Sequence, residues 1–252
     1  MDLNFLGRGA AFNPKEGNTS ACFREGSELF LIDCGESVFA KLMEQNLLQG
    51  ITKINLMLTH THSDHVGSLG TLAMYSFFNM KVPLNIIVNY DAAEKQKESI
   101  QNVLSVFGCT EAMTTFTEAQ TLDNEYQSFS SMRFFETEHV KEINSFGIGL
   151  ITEKGLVYYS GDTSETKQIV DILNSGKQID KIYVDVNTAN YPGKVHLNID
   201  ELAQQIPQEQ RNKIYCMHFN NDECTRRAQE LGFNVVEVVG ERRKETTQEN
   251  NL

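Results

Sequence analysis

Three histidines and an aspartate stand together at His60-Thr61-His62-Ser63-Asp64-His65, directly after the apolar run 54–58. Imidazole nitrogens and carboxylate oxygens are the ligands of zinc-class cations, and the H-x-H-x-D-H spacing can seat two such ions side by side. Two ions need more ligands than this cluster supplies, and three further candidates each follow a predicted strand. These are His139 after 132–138, Asp162 in Ser160-Gly161-Asp162-Thr163, and His218 after 214–217. Taken singly, His139 also reads as a surface histidine, Asp162 as a helix N-cap and His218 as a packed histidine. Taken with the cluster, they point to one constellation hung from the ends of several rigid strands.

The elements that must position these residues are legible in the apolar periodicity. Ile54, Leu56 and Leu58 alternate with Asn55, Met57 and Thr59, a strand pattern whose carboxyl end feeds the cluster. Residues 3–6 and 28–33 also read as strands. Residues 36–48 carry Val38, Phe39, Leu42, Met43 and Leu47 at helical spacing and close on Gly50 as a C-cap. A helix over 69–79, a strand over 85–89, and a capping box Asp91-Ala92-Ala93-Glu94 opening a helix through Phe107 follow. In the second half, 132–135, 147–152 and 156–160 read as strands, the last two joined by the turn Glu153-Lys154-Gly155. Thr163 or Ser164 caps a helix bearing Ile169, Ile172 and Leu173. After it come a strand over 181–186, a capping box from Asn198 to Glu201, a strand over 213–217, a helix over 222–231 ending at Gly232, and a last strand over 234–239. Strands in both halves with helices between them predict an α/β chain with two sheets packed face to face and helices outside, a four-layer αβ/βα sandwich. One domain is expected over 1–240, with a polar, aperiodic tail at 241–252.

Composition narrows the partners. A chain of 252 residues with 40% hydrophobic content can bury a full core. The formal charge of −12 and isoelectric point near 5.0 disfavour nucleic acid, since counterion release needs clustered Lys and Arg. Two bound dications would supply local positive charge for a small anionic substrate. The five cysteines, Cys22, Cys34, Cys109, Cys216 and Cys224, are odd in number, form no C-x-x-C pair and read as reduced. No run approaches a membrane span, and Met1-Asp2-Leu3-Asn4 lacks a basic targeting region, so a cytoplasmic location is expected, the bacterial host's if the chain is phage-encoded.

The ordered motifs H-x-H-x-D-H, His, Asp and His resemble those of the metallo-β-lactamase superfamily along nearly the whole chain. That resemblance implies the metallo-β-lactamase fold, with His60, His62 and His139 on one metal, Asp64, His65 and His218 on the other, and Asp162 bridging them. Two divalent ions are implied, zinc before manganese. Within the superfamily the chain is more similar to ribonuclease Z and its phosphodiesterase relatives, through Phe5-Leu6-Gly7 with Gly9, Asn18-Thr19-Ser20, Asp33-Cys34-Gly35-Glu36 and Gly161-Asp162-Thr163. This group implies catalytic roles for Asp64 and for His196, which would protonate the leaving oxygen. Its partner acid lies in a Glu-Ala-Thr element, matched here one residue out of step by Asp185-Val186-Asn187-Thr188. Asp33 is a candidate to fix the tautomer of a ligand imidazole, and it also reads as a turn former before Gly35.

The tRNA-gripping arm of the usual bacterial ribonuclease Z lies between the isolated histidine and the bridging aspartate. Only 23 positions separate His139 from Asp162, and a hairpin fills them. His218-Phe219-Asn220-Asn221-Asp222 adds an acid where a polyanion would want a base. The resemblance that fits best is to the anti-Pycsar phosphodiesterases, which implies hydrolysis of cyclic mononucleotides such as cCMP and cUMP, and a homodimer. A tRNA 3′ endonuclease and a non-catalytic cyclic-nucleotide sponge are the rival expectations.

Overall fold

A computed structural model describes residues 1–241 of the 252, so the tail expected at 241–252 lies, Glu241 apart, outside the described residues. Among these residues the first half forms strands β1 (Asn4–Gly7), β2 (Ser20–Glu25), β3 (Glu28–Ile32), β4 (Lys53–Met57), β5 (Leu84–Val88) and β6 (Thr114–Glu118). Helices α1 (Val38–Glu44), α2 (Ser63–Val66), α3 (Leu69–Tyr75) and α4 (Ala93–Val106) run between them. The second half forms β7 (Ser131–Glu136), β8 (Phe146–Thr152), β9 (Gly155–Tyr159), β10 (Ile179–Asp185), β11 (Ile214–Met217) and β12 (Asn234–Val235), with α5 (Lys167–Asn174), α6 (Ile199–Gln205) and α7 (Asp222–Glu230).

Each half makes its own sheet, in the orders β1-β2-β3-β4-β5-β6 and β12-β11-β10-β9-β8-β7. The two have the same topology: three antiparallel strands, then three more added in parallel. Parallel neighbours require crossovers, which the helices provide. Side-chain parity along the strands then decides the layers. Leu29 and Leu31 of β3, with Ile54, Leu56, Leu84 and Ile86, pack outward against Val38, Leu42, Leu72 and Leu104 of the helices. Phe30 and Ile32 face the other way and meet Ile148, Leu150, Tyr159 and Tyr183 between the sheets. The outer face of the second sheet sets Ile182, Val184 and Ile214 against Ile169, Leu202 and Ala228. Burial of each large apolar side chain is worth about 1.5–3 kcal/mol, so a one-residue slip of any central strand would misplace a whole face. The expected four-layer sandwich is the observed one.

Element ends differ from the sequence reading where local chemistry intervenes. The helix expected over 36–48 stops at Glu44, because Asn46 takes the left-handed conformation at φ 54 before the chain turns through Gly50. The helix expected over 69–79 becomes a π-helical turn over Ser76–Met80, stopped by left-handed Lys81. The box from Asp91 to Glu94 does not form; instead the Asn89 N–H donates to Gln96 Oε1 at 2.8 Å, fixing the approach to α4. Neither Thr163 nor Ser164 caps α5, which begins at Lys167, since Thr163 Oγ accepts from Glu165 N and Ser164 Oγ donates to Glu138 O. Asn198 does cap α6, while Glu201 pairs with Lys194 rather than completing a box. The last strand ends at Val235 because the following residues cross to the first sheet, where the Val239 N–H donates to Phe5 O at 2.8 Å. Strands β2 and β6 were not foreseen.

Strands β4, β9, β10 and β11 lie in the parallel parts of the two sheets, and the ligand-type residues follow their carboxyl ends, except His139, which follows the antiparallel edge strand β7. That is where open parallel sheets leave room for a ligand.

Candidate metal centre

The H-x-H-x-D-H loop runs from the end of β4 into α2, a single turn that buries Asp64 and His65. It is clamped to the turn after β3: the Cys34 N–H donates to His65 O at 2.7 Å, and the Ser68 hydroxyl to Gly35 O at 2.6 Å. Glycine is obligatory at position 35, where a Cβ would fall 1.9 Å from the Asp64 carbonyl oxygen. In the second sheet Gly161 has φ +60, and a Cβ there would lie 2.5 Å from Phe146 O, so only glycine turns the chain from β9 into Asp162. Two non-glycine residues at the site, Asp33 (φ 62) and His218 (φ 61), also hold the left-handed conformation. Each costs on the order of 1–3 kcal/mol and persists where the surroundings over-determine it.

All ten residues singled out in the sequence come together here, and seven of them form two donor groups that share Asp162. In the first, His60 Nε2 stands 3.0 Å from His62 Nδ1, which stands 3.1 Å from His139 Nε2. The outer nitrogens are engaged elsewhere, His60 Nδ1 with the Thr59 hydroxyl at 3.0 Å and His139 Nδ1 with Val195 O at 2.7 Å. A carbonyl only accepts, so His139 carries its proton on Nδ1 and turns the Nε2 lone pair inward. Burial pushes His60 well below the usual histidine range, with His65 and His139 acting in the same direction against Asp162. Half-buried His62 is lowered too, by burial and then by His139.

The second group mixes imidazoles with carboxylates. His65 Nε2 lies 3.4 Å from both Asp64 Oδ2 and Asp162 Oδ1, and His218 Nε2 lies 3.2 Å and 3.5 Å from the same two oxygens. Asp162 turns its other oxygen, Oδ2, toward the first group, 3.7 Å from both His60 Nε2 and His139 Nε2. Burial alone would raise this carboxyl, but His218, His65 and His60 hold it well below the usual carboxylate range. Asp33 backs His65 at 2.8 Å and also accepts from the Thr59 N–H at 2.8 Å and the Thr59 hydroxyl at 2.9 Å. Burial pushes Asp33 up while the carboxylates around His65 push that imidazole well up. With the Thr59 donors already on Asp33, the shared proton belongs to the imidazole. Burial works against charging His218, but Asp162 and Asp185 push it up to about 10.

Asp185 ends β10 and serves two histidines. Its Oδ2 accepts from His196 Nδ1 at 2.9 Å and from the Thr163 N–H at 3.1 Å, and its Oδ1 lies 3.2 Å from His218 Nδ1. The one-residue offset seen in the sequence therefore does not keep Asp185 from His196. Burial opposes protonation of His196, yet Asp185 prevails and raises it above the usual histidine value. Thr59 and the Val195 carbonyl were missed in the sequence. Their only signal was adjacency, Thr59 to His60 and Val195 to His196.

The residues fit divalent cations. His60, His62, His139 and Asp162 form one set of donors all within 4.8 Å of one another, and Asp64, His65, Asp162 and His218 form another. Ligands about 2.1 Å from a shared ion sit roughly 3.4 Å apart, close to the separations seen in both groups. His65 Nε2 is also buried without a hydrogen-bond partner, as a nitrogen reserved for a metal would be.

Comparison with known proteins agrees with this geometry. Residues 1–238 match the family model described as anti-Pycsar protein Apyc1. The chain is 27% identical over 238 residues to the anti-Pycsar protein Apyc1 of Bacillus phage BSP38, covering 87% of this chain and 89% of that one. Among solved structures, the metallo-beta-lactamase fold protein YhfI from Bacillus subtilis superposes with a TM-score of 0.68 at 17% identity, over 93% and 95% of the two chains. The short form of human tRNase Z gives 0.63 at 20%, over 94% and 97%. The architecture is the metallo-β-lactamase fold, and no helix among the described residues is long and apolar enough to cross a membrane.

Proposed function

The chain belongs to the anti-Pycsar protein Apyc1 family, and from that premise we propose that it is a binuclear metal-dependent phosphodiesterase acting on cyclic mononucleotides. Its substrates in this reading are cCMP and cUMP, with cAMP and cGMP next, its products are nucleoside monophosphates, and its role is to counter Pycsar anti-phage signalling, as a homodimer. The observation that carries the reading is Asp162, whose Oδ2 serves the all-histidine group and whose Oδ1 serves the mixed group. One shared carboxylate between two donor sets is the arrangement two ions require. His60, His62 and His139 would hold one, Asp64, His65 and His218 the other, with zinc preferred and manganese second.

When bound, the cations supply Lewis acidity to the phosphate oxygens and a nucleophile from water at neutral pH. The chain supplies orientation and a proton. Asp33 and the Val195 carbonyl fix the tautomers of His65 and His139. Asp64, placed against both His65 and His218, is the carboxylate whose loss would disable the second group. His196, held protonated by Asp185, donates to the ribose oxygen as its bond to phosphorus breaks and the new P–O bond to water forms. The interval between His139 and Asp162 is filled by β8 and β9, which leaves no arm for a tRNA.

The test is a panel of the four cyclic mononucleotides, a precursor tRNA and a β-lactam, offered to zinc- or manganese-loaded protein beside the Asp162→Asn variant. Cyclic-nucleotide turnover by wild type alone is expected. Equal behaviour of the two proteins on every substrate would sink the reading, and faster tRNA trimming would replace it.

A further inference from the structure

Phe12 is 99% exposed, although a phenyl ring gains about 1.5–3 kcal/mol when buried, and folding therefore gives no reason for it. It stands at the tip of a tight turn, closed by the Asn13 N–H donating to Ala10 O at 2.9 Å. Turn tips favour Gly, Asn, Asp and Ser, so the residue type is unexplained by the turn as well. The turn itself is firmly held. The Gly9 N–H donates to Gly17 O at 2.7 Å, the Arg8 guanidinium binds Glu16 at 2.7 Å, and the Glu16 N–H donates to Asn13 O at 3.2 Å.

What anchors it is the candidate centre. The Ala10 N–H at 3.0 Å and the Asn13 side-chain amide at 2.9 Å both donate to Phe219 O, and the Phe219 N–H donates to Arg8 O at 2.9 Å. Phe219 directly follows His218, a donor of the second group. On its other side the same turn leads to Asn18, whose Cβ lies 2.7 Å from the position a Cβ on Gly35 would take, against the Asp64 backbone. A rigid turn bonded to the residue after His218 and leading to the packing beside the Asp64 backbone thus presents a bare aromatic ring.

We infer that Phe12 is a substrate-binding residue whose ring stacks on the nucleobase of the cyclic nucleotide, an inference that rests on the function proposed above. Every base has a π-face, so stacking secures the base without reading its edge. The chemistry predicts affinity for purine and pyrimidine cyclic nucleotides alike, and weaker binding of the same ribose cyclic phosphate without a base.

The experiment compares wild type, Phe12→Ala and Phe12→Trp on cCMP, cUMP, cAMP and cGMP and on baseless ribose 3′,5′-cyclic phosphate, with subunit association measured by sedimentation. Phe12→Ala is expected to raise KM for every cyclic nucleotide relative to the baseless compound on the order of tenfold, with the change in KM rather than kcat. Phe12→Trp is expected to restore KM and, as the chain holds no other tryptophan, to report the base through quenching of a single indole. An unchanged KM ratio in Phe12→Ala overturns the inference and leaves the proposed activity standing. A change in subunit association overturns it in favour of a contact between copies. Wild-type protein that hydrolyses no cyclic nucleotide overturns both.

Discussion

His60, His62 and His139 meet nitrogen to nitrogen, whereas His65 and His218 meet carboxylates, and the two groups share only Asp162. In the first group burial keeps the imidazoles of His60 and His62 neutral, which is the protonation state that binds metal. In the second, Asp162, Asp33 and Asp185 keep His65 and His218 protonated until a cation displaces the protons. The first group is therefore ready to bind but weakly charged and half open to solvent at His62. The second is buried, more negative, and must release protons to bind. A binuclear site can in this way hold two chemically similar ions by different means, one on pre-formed neutral donors and one by charge exchange.

The strongest way to break that comparison is to remove what the groups share. Asp162→Asn is expected to cut cyclic-nucleotide turnover by roughly 10³-fold or more, since both ions and their charge on the phosphate depend on it. Metal content measured by atomic emission should fall at both positions together; loss of one ion alone would mean the carboxylate is not shared. Next in size is the proposed acid, His196, which belongs to neither group but leans on Asp185, the carboxylate that also backs His218 of the second. His196→Asn is expected to lose about 10²–10⁴-fold on cyclic nucleotides. A p-nitrophenyl phosphodiester, whose leaving group needs no proton, should lose far less. Asp185→Asn should lose about 10–100-fold, acting through the orientation of His196 and His218. Equal losses on both leaving groups in His196→Asn would argue for a structural role.

A smaller effect sharpens the contrast. Calorimetric titration of metal-free protein with zinc at pH 7, repeated in buffers of different ionisation enthalpy, should show about two protons released by filling the second group, from His65 and His218. Filling the first should release close to none. Chelation should run in the opposite order, with the ion of the half-exposed His62 group leaving first. A single phase, or proton release from both, would remove the distinction.

The halves of the site were not equally legible in the sequence. The first sheet contributes its donors within six residues, so His60 to His65 declare themselves by spacing alone, and the alternation of Ile54, Leu56 and Leu58 gave the strand that carries them. The second sheet contributes one residue per strand end, and His139 after β7, Asp162 after β9 and His218 after β11 acquire meaning only when the antiparallel pairing of β7 through β9 and the parallel order of β9, β10 and β11 bring those ends together. Asp185 shows the limit. Its one-residue offset from the family element could not be judged without the turn that places Oδ2 2.9 Å from His196 Nδ1. Helix starts failed for a similar reason. At Ser164 a tertiary partner, Glu138 O, took the hydroxyl that local sequence offered as a cap, and before α4 Gln96 of the helix itself, rather than the box from Asp91, engages the entering chain at Asn89.

The smallest effect expected is on the stability of the metal-free protein, where the two groups should act with opposite sign. His65 and His218 have folded values above the unfolded value near 6.5, so their contribution is complete below that pH and is lost as pH rises, for His218 through about 10. His60 and His62 have folded values below 6.5. As pH falls beneath 6.5 the unfolded chain binds protons that the folded one refuses, and stability is lost on the acid side instead. Metal-free protein should therefore melt highest near neutrality, with a melting temperature that falls on both flanks by several degrees. His218→Asn should flatten the alkaline flank and His60→Asn the acid one, each leaving the other flank in place. Zinc-loaded protein should lose the alkaline flank, because metal holds His65 and His218 deprotonated throughout. If His218→Asn instead flattened the acid flank, the assignment of protons to the second group would be wrong, and with it the difference between the two halves of the centre.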